Sequence, residues 1–272
     1  MSTGAATKRR TAVDIRGRKG GEPIVSLTAY SAVMARLVEP HVDFLLVGDS
    51  LAMVEYGMDS TLAATPDMMI RHGAAVVSAT SLPLVVIDLP FGSYEASPEQ
   101  AFATASAVMA GTGAGAVKLE GGQAMAPTIR FLSDRGIPVM AHVGLTPQAV
   151  NALGGFRSQG HDEAARRRIL EDGQAVAEAG AFAVVVEGVV EPLADEITAQ
   201  IGVPTIGIGA SVSCDGQILV LEDMLGLTPR VPRFVHTFGA LAGAVDEAAS
   251  AYASAVKERR FPGPGNVYKP RG

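Results

Sequence analysis

The sequence predicts one α/β domain built as a (βα)8 barrel, and three observations predict it. Eight short apolar runs rich in Val, Ile and Leu recur along the chain without alternation of apolar and polar residues. That is the mark of parallel strands buried on both faces. Segments of helical character separate most of these runs, as strand–helix packing requires. The length of 272 residues suits a single barrel of about 250 residues. A doubly wound open sheet carries the same local signals. However, the Gly-x-Gly-x-x-Gly turn that a dinucleotide-binding sheet places after its first strand does not occur here.

In chain order the strand candidates read PIVSLTAY, VDFLLVGD, LPLVVIDLP, GAVKLEG, IPVMAHVG, AFAVVVEG, VPTIGIG and GQILVLED. The clearest helices between them cover Thr65 to Ser78, Pro98 to Met109, Gln123 to Asp134 and Asp162 to Ala179. Ser97-Pro98-Glu99 is a helix start, with Ser as N-cap and Pro in the first turn. Gly136 and Gly180 follow charged helix ends and suit the left-handed position that stops a helix. Gly111 to Ala116, GTGAGA, lies before a strand, so it reads as a helix-to-strand connection and not as a phosphate loop. Val143 to Gly160 is a long connection, a class that is usually functional or mobile. A last Ala-rich helix covers Phe238 to Arg260. The expected organisation is one domain over residues 1–272, with a flexible basic arm at about 1–10 and an irregular Pro/Gly tail at about 261–272.

Composition excludes several classes. A chain that is 48% hydrophobic and 18% charged is not globally disordered. The formal net charge of −6 lacks the basic footprint of a nucleic-acid binder. The single Cys214 rules out an intrachain disulfide framework. The longest promising uncharged run, Gln100 to Val117, is too polar and Gly-rich for a membrane span. The basic N-terminal stretch has no apolar core, so it is no secretory signal; a solvated arm is the plainer reading and a transit peptide the weaker one. The expectation is a cytoplasmic protein with no membrane and no nucleic-acid partner.

In a parallel barrel the reacting groups sit at the C-terminal ends of the strands. Asp49, Asp88, Glu120 and Glu187 follow or end four of those runs, and His142 sits late in a fifth. Lys118 lies two residues before Glu120, so strand alternation points both to one face. One acid after a strand is commonly a helix cap; four on one rim would repel unless a cation joined them. Oxygen donors with no Cys favour Mg²⁺ or Mn²⁺ over zinc. A cation plus Lys118 suits a small anionic oxo-acid polarised at its carbonyl, with an acid such as Glu187 as general base.

The stretches SLTAYS, LLVGDSLAMVEYG, DSTL, VVIDLPFGSYEASPEQAF, AVKLEGG, PVMAHVGLTPQ, VVVEGV, IGIGA and CDGQILVLEDMLG, in this order from about Thr11 to about Phe234, resemble the ketopantoate hydroxymethyltransferase family. The resemblance implies a barrel of the phosphoenolpyruvate/pyruvate-domain type. It implies hydroxymethyl transfer from 5,10-methylenetetrahydrofolate to 3-methyl-2-oxobutanoate, giving 2-dehydropantoate on the route to pantothenate. It also implies Mg²⁺ held by Asp49 and Asp88, with Glu120 completing the site directly or through water. Ser50 and Lys118 would hold the keto-acid carboxylate, with Asp49 and Asp88 lining the pocket, and Glu187 would accept the proton. His142 stays open between a place beside the substrate and a hydrogen-bonded core histidine. The family implies a homo-oligomer, a decamer.

The sequence departs from the family pattern in two places. TAYS carries Ser31 where Asp is expected, and Ser211, Val212 and Ser213 replace the expected Gly and Asn after GIGA. Cys214, with no base at a catalytic spacing, reads as a packed residue. Arg166 to Arg168 read as a solvated helix face or subunit contact. Two other functions remain in view: a related Mg-dependent C–C lyase or mutase acting on an oxo-acid, and a metal-stabilised scaffold. The Cys-bearing lid motif common among such lyases does not occur in this sequence.

Overall fold

The computed structural model describes residues 8–270. Eight parallel strands close into a barrel in sequence order. They are β1 (Ile24–Thr28), β2 (Phe44–Val47), β3 (Leu84–Asp88), β4 (Ala116–Glu120), β5 (Val139–Gly144), β6 (Ala183–Glu187), β7 (Thr205–Ile208) and β8 (Gly216–Leu219). The helices are α1 (Ala12–Arg16), α2 (Ala32–Val38), α3 (Leu51–Val54), α4 (Pro66–Ala79), α5 (Pro98–Thr112), α6 (Ala126–Ser133), α7 (Val150–Leu153), α8 (Glu163–Glu178), α9 (Glu191–Gln200), α10 (Leu221–Met224) and α11 (Leu241–Lys257). The predicted fold class holds, and each predicted strand run contains one strand.

Local chemistry accounts for the helix ends. Ser97 Oγ caps α5 by accepting the Gln100 N–H, with Pro98 in the first turn. Thr65 and Asp162 cap α4 and α8 in the same way. Gly113, at φ +75°, ends α5 in the left-handed conformation and returns its N–H to Met109 O. GTGAGA is thus the helix-to-strand connection the sequence suggested. Gly136 and Gly180 also take positive φ. Ser31 caps α2 by accepting the Met34 N–H at 3.3 Å, a task that an Asp performs equally well.

The barrel has an apolar interior at its N-terminal end. Ala12 and Ile15 of α1 pack into one cluster with Ile24, Phe44, Leu84, Met140, Ala183 and Ile206. Alternation along β4 turns Ala116, Lys118 and Glu120 to the same side, and the register sets Asp88 beside Lys118 and Glu120 beside His142. Apolar layers therefore lie below and charged layers above.

From Arg9 onward the basic N-terminal stretch is hydrogen-bonded to the chain near Thr80; residues 1–7 of the expected arm lie outside the described residues. The Arg9 guanidinium donates to the carbonyls of Val77, Thr80 and Pro83, and the Arg10 N–H donates to Leu82 O. Arg10 and Arg18 flank Asp43, and Lys19 pairs with Asp215 at 2.9 Å. Charge alone did not reveal this, because the partner acids are distant in sequence.

The expectation of one domain over residues 1–272 meets a chain that groups into two compact units, Met1–Leu221 and Glu222–Gly272. The first holds the barrel. The second holds α11, and residues 261–270 carry turns without helix or strand. Among the described residues no helix is long and apolar enough to cross a membrane.

Candidate active site

The charged side chains gather at the C-terminal ends of β2 to β6. Gly48 opens the turn after β2; a Cβ there would stand 2.9 Å from Ser50 Oγ. The turn presents the Asp49 N–H to Asp88 Oδ2 at 3.0 Å. The Asp49 carboxylate accepts from Gln148 Nε2 at 2.9 Å. Ser50 Oγ meets the Tyr30 hydroxyl at 2.7 Å. Asp88, the last residue of β3, pairs with Lys118 of β4, Oδ1 to Nζ 2.8 Å. Both side chains are buried.

His142 of β5 links the two halves of the cluster. Its Nδ1 lies 3.5 Å from Glu120 Oε1 and 3.4 Å from Lys118 Nζ. Its Nε2 lies 3.4 Å from Glu187 Oε2. That Nε2 is buried with no aligned hydrogen-bond partner among the described residues. His142 is therefore a buried member of the charged cluster, within 3.5 Å of Glu120, Lys118 and Glu187.

The electrostatics divide the acids. Burial pushes the Asp49 carboxyl well above the usual range, and Asp88 and Glu120 push it further. Asp88 is also raised, because burial outweighs the charge and hydrogen bond of Lys118. Burial pushes Glu120 upward too, but His142, Lys118 and the Gln148 N–H outweigh it and hold Glu120 low. Lys118 is disfavoured by burial, yet Asp88, Glu120 and Asp49 hold its ammonium above the usual lysine range. Glu187 is raised to about 7, mainly by burial. A carboxyl with that value sits where a general base works near neutral pH.

Sequence reasoning missed two residues of this site. Gln148, in the turn after β5, and Tyr94, in the loop after β3, are both buried and bonded to each other at 2.6 Å. Tyr94 also accepts the Glu120 N–H at 3.1 Å. Gln148 belongs to the HVGLTPQ stretch, but a neutral amide in a Pro-containing turn carries no signal of its own. Elsewhere, the Ser211 hydroxyl donates to Asp195 and accepts the Ser213 N–H at 3.0 Å, so that departure from the family pattern closes on itself. Cys214 is buried. Arg166 pairs with Glu196 of α9 at 3.0 Å, a contact within the helical layer.

Among the described residues no three His, Cys, Asp or Glu side chains form a finished metal cage. The donor set nonetheless fits a hard divalent ion. Such ions use one or two carboxylates and fill the rest of their shell with water and substrate oxygens. Asp49 and Asp88 fit that count: both are buried at adjacent strand ends, and the Asp49 N–H bond to Asp88 Oδ2 at 3.0 Å holds them side by side. Both Glu120 oxygens already have neighbours, Gln148 N at 3.0 Å and His142 Nδ1 at 3.5 Å. Both Asp88 oxygens likewise have neighbours, Lys118 Nζ at 2.8 Å and the Asp49 N–H at 3.0 Å, so Glu120 fits the site directly or through water.

Comparison with known proteins identifies the family. The chain is 62% identical to the 3-methyl-2-oxobutanoate hydroxymethyltransferase of Parvibaculum lavamentivorans, covering 98% of each protein. It is 59% identical to the Bartonella quintana protein of the same name, over 99% of this chain and 98% of that one. Among solved structures, phosphonopyruvate hydrolase in complex with oxalate and Mg²⁺ superposes with a TM-score of 0.62 at 13% identity, covering 96% of this chain and 92% of that one. A 2,3-dimethylmalate lyase of the PEP mutase/isocitrate lyase superfamily superposes at 0.58 and 17% identity, over 95% and 92% of the two chains. These two likenesses speak for the fold. The ketopantoate hydroxymethyltransferase family model matches residues 9–264, beyond both ends of the motif series. The chain belongs to the ketopantoate hydroxymethyltransferase family of enzymes.

Proposed function

We propose that this chain transfers a hydroxymethyl group from 5,10-methylenetetrahydrofolate to 3-methyl-2-oxobutanoate, giving 2-dehydropantoate for pantothenate synthesis in the cytoplasm. The observation that carries the reading is the division of the acids. Asp49 and Asp88 crowd one cation, Lys118, while Glu187 stands apart beyond His142 with a carboxyl near neutrality. Near-full-length relatives at 62% and 59% identity bear the name of this reaction.

The hydrogen to be removed is on C3, next to the keto group. Asp49 and Asp88 would hold a Mg²⁺ ion, which when bound supplies positive charge at the keto oxygen and so acidifies C3. Lys118 stays charged and, with Ser50, receives the substrate carboxylate. Glu187 takes the C3 proton as its base, and burial makes it basic enough to do so. His142, with Nε2 3.4 Å from Glu187, stands beside that carboxylate. C3 then bonds to the methylene carbon, both bonds from that carbon to the folate N5 and N10 break, and water supplies the hydroxyl; the proton taken from C3 and the one released by water end on the two nitrogens, giving tetrahydrofolate. The isopropyl group meets an apolar wall, which discriminates by about 1–3 kcal/mol per methylene. We further read the protein as a homo-oligomer, a decamer, to be sized by light scattering.

The test is direct. Protein with MgCl₂, the keto acid and methylenetetrahydrofolate should form 2-dehydropantoate, and without folate it should still exchange the C3 hydrogen in D₂O. Exchange without the folate-dependent product would overturn the proposal in favour of a lyase or mutase, and the absence of both exchange and product would overturn it outright.

A further inference from the structure

We propose that Gln148 is a positioning residue that fixes the Asp49 carboxylate and ties it to Glu120, so that divalent-cation affinity at this rim depends on a neutral amide delivered by another loop. The inference rests on the reading of Asp49 and Asp88 as the residues that hold the cation.

Gln148 leaves β5 in the one-turn segment Pro147–Ala149 and is 5% exposed. Its Nε2 donates to Asp49 Oδ2 at 2.9 Å and to Leu89 O at 3.0 Å. Its backbone N–H donates to Glu120 Oε2 at 3.0 Å. Its Oε1 accepts from the Tyr94 hydroxyl at 2.6 Å. One side chain and its own backbone thus join the ends of β2, β3 and β4 to the loop after β5.

The amide can sit only one way round. Flipped, its oxygen would face the Asp49 carboxylate and the Leu89 carbonyl, two acceptors, and its nitrogen would face Tyr94. The Tyr94 hydroxyl receives the Glu120 N–H at 3.1 Å, and its one hydrogen lies nearer Gln148 Oε1, at 2.6 Å, than the Glu120 carbonyl oxygen, at 3.2 Å. Both amide hydrogens therefore point at acceptors, and Asp49 Oδ2 is committed to one of them. Asp49 Oδ1 takes no hydrogen bond among the described residues, so the amide selects which oxygen is left for a cation. Outer partners of this kind typically set metal affinity by about 10–100-fold. A carboxylate at position 148 would add to the repulsion on Asp49, and an apolar residue would take the amide donor away from Asp49 and Leu89 O.

Calorimetric titration of metal-free protein with MgCl₂ tests this, using wild type, Gln148→Leu and Tyr94→Phe, with circular dichroism to confirm folding. Gln148→Leu should bind Mg²⁺ about 10–100-fold more weakly, and Tyr94→Phe should shift the same way by less. A folded Gln148→Leu variant with wild-type Mg²⁺ affinity overturns the inference, even if its melting temperature falls, because that would be a structural role alone. Should Gln148→Leu fail to fold, unchanged Mg²⁺ affinity in Tyr94→Phe overturns it. A wild type that binds no Mg²⁺ overturns the metal reading and this inference together; tight wild-type binding matched by the variants overturns this inference alone.

Discussion

The two ends of the barrel treat their buried acids in opposite ways. At the N-terminal end, burial pushes Asp215 upward, but the N–H groups of Thr205 and Gly20 and the ammonium of Lys19 outweigh it and hold the carboxyl low. At the C-terminal end Glu120 is likewise held low, but Asp49, Asp88 and Glu187 are left raised. The lower acids are satisfied by their neighbours and fasten the chain. The raised ones are under-satisfied and so remain available to ligands and protons. A fold that supplied donors evenly at both ends would be more stable and chemically inert.

The sharpest way to break this contrast is at its upper extreme. Glu187→Gln should cut turnover by about 10²–10⁴-fold, the scale of general-base catalysis. Its melting temperature should not fall, because a buried charge is replaced by a neutral amide of the same shape. Stopped-flow or coupled assays beside thermal denaturation would read both quantities.

The pH dependence follows from the same group. With the carboxyl near 7, kcat/KM should fall about tenfold for each pH unit below that value. The stability sign is opposite. A folded value raised above the ordinary one favours the protonated form on folding. Its contribution is complete below about pH 4.5 and is lost as pH rises to about 7. Chemical denaturation of metal-free wild type against Glu187→Gln at pH 5 and pH 8 would show that gap closing or staying open.

The lower end should respond in stability alone. Ile15→Ala, which opens a cavity among Ile24, Phe44 and Met140, should cost about 2–5 kcal/mol. Asp215→Asn should cost less, about 1–3 kcal/mol, through weakened bonds to Lys19 and the Thr205 and Gly20 amides. Both variants should keep wild-type kcat well below their melting temperatures. A tenfold loss of kcat in either would dissolve the division between the two ends.

Much of this was legible from residue order. Strands buried on both faces advertise themselves as unbroken apolar runs, and acids placed after such runs mark one rim. Ser97-Pro98 and Gly136 show how local helix chemistry reads directly. What stayed hidden depends on pairs distant in sequence. The basic stretch around Arg9, Arg18 and Lys19 looked like a solvated arm, because Asp43 and Asp215 lie far along the chain. Gln148 and Tyr94 escaped for the same reason: 54 residues separate two side chains that bond at 2.6 Å. The second compact unit after Leu221 begins without any linker-like change in composition.

Gly144 carries a last consequence. It sits opposite Glu187 in the β5–β6 register at φ +96°, where a Cβ would stand 2.5 Å from the Glu187 carbonyl oxygen. Any side chain there displaces the backbone that aims the base. A random-mutagenesis screen for lost activity would return this position alongside the acids, although it has no side chain with which to react. Inactivating variants in this enzyme therefore mark where the base must be aimed as well as where protons move.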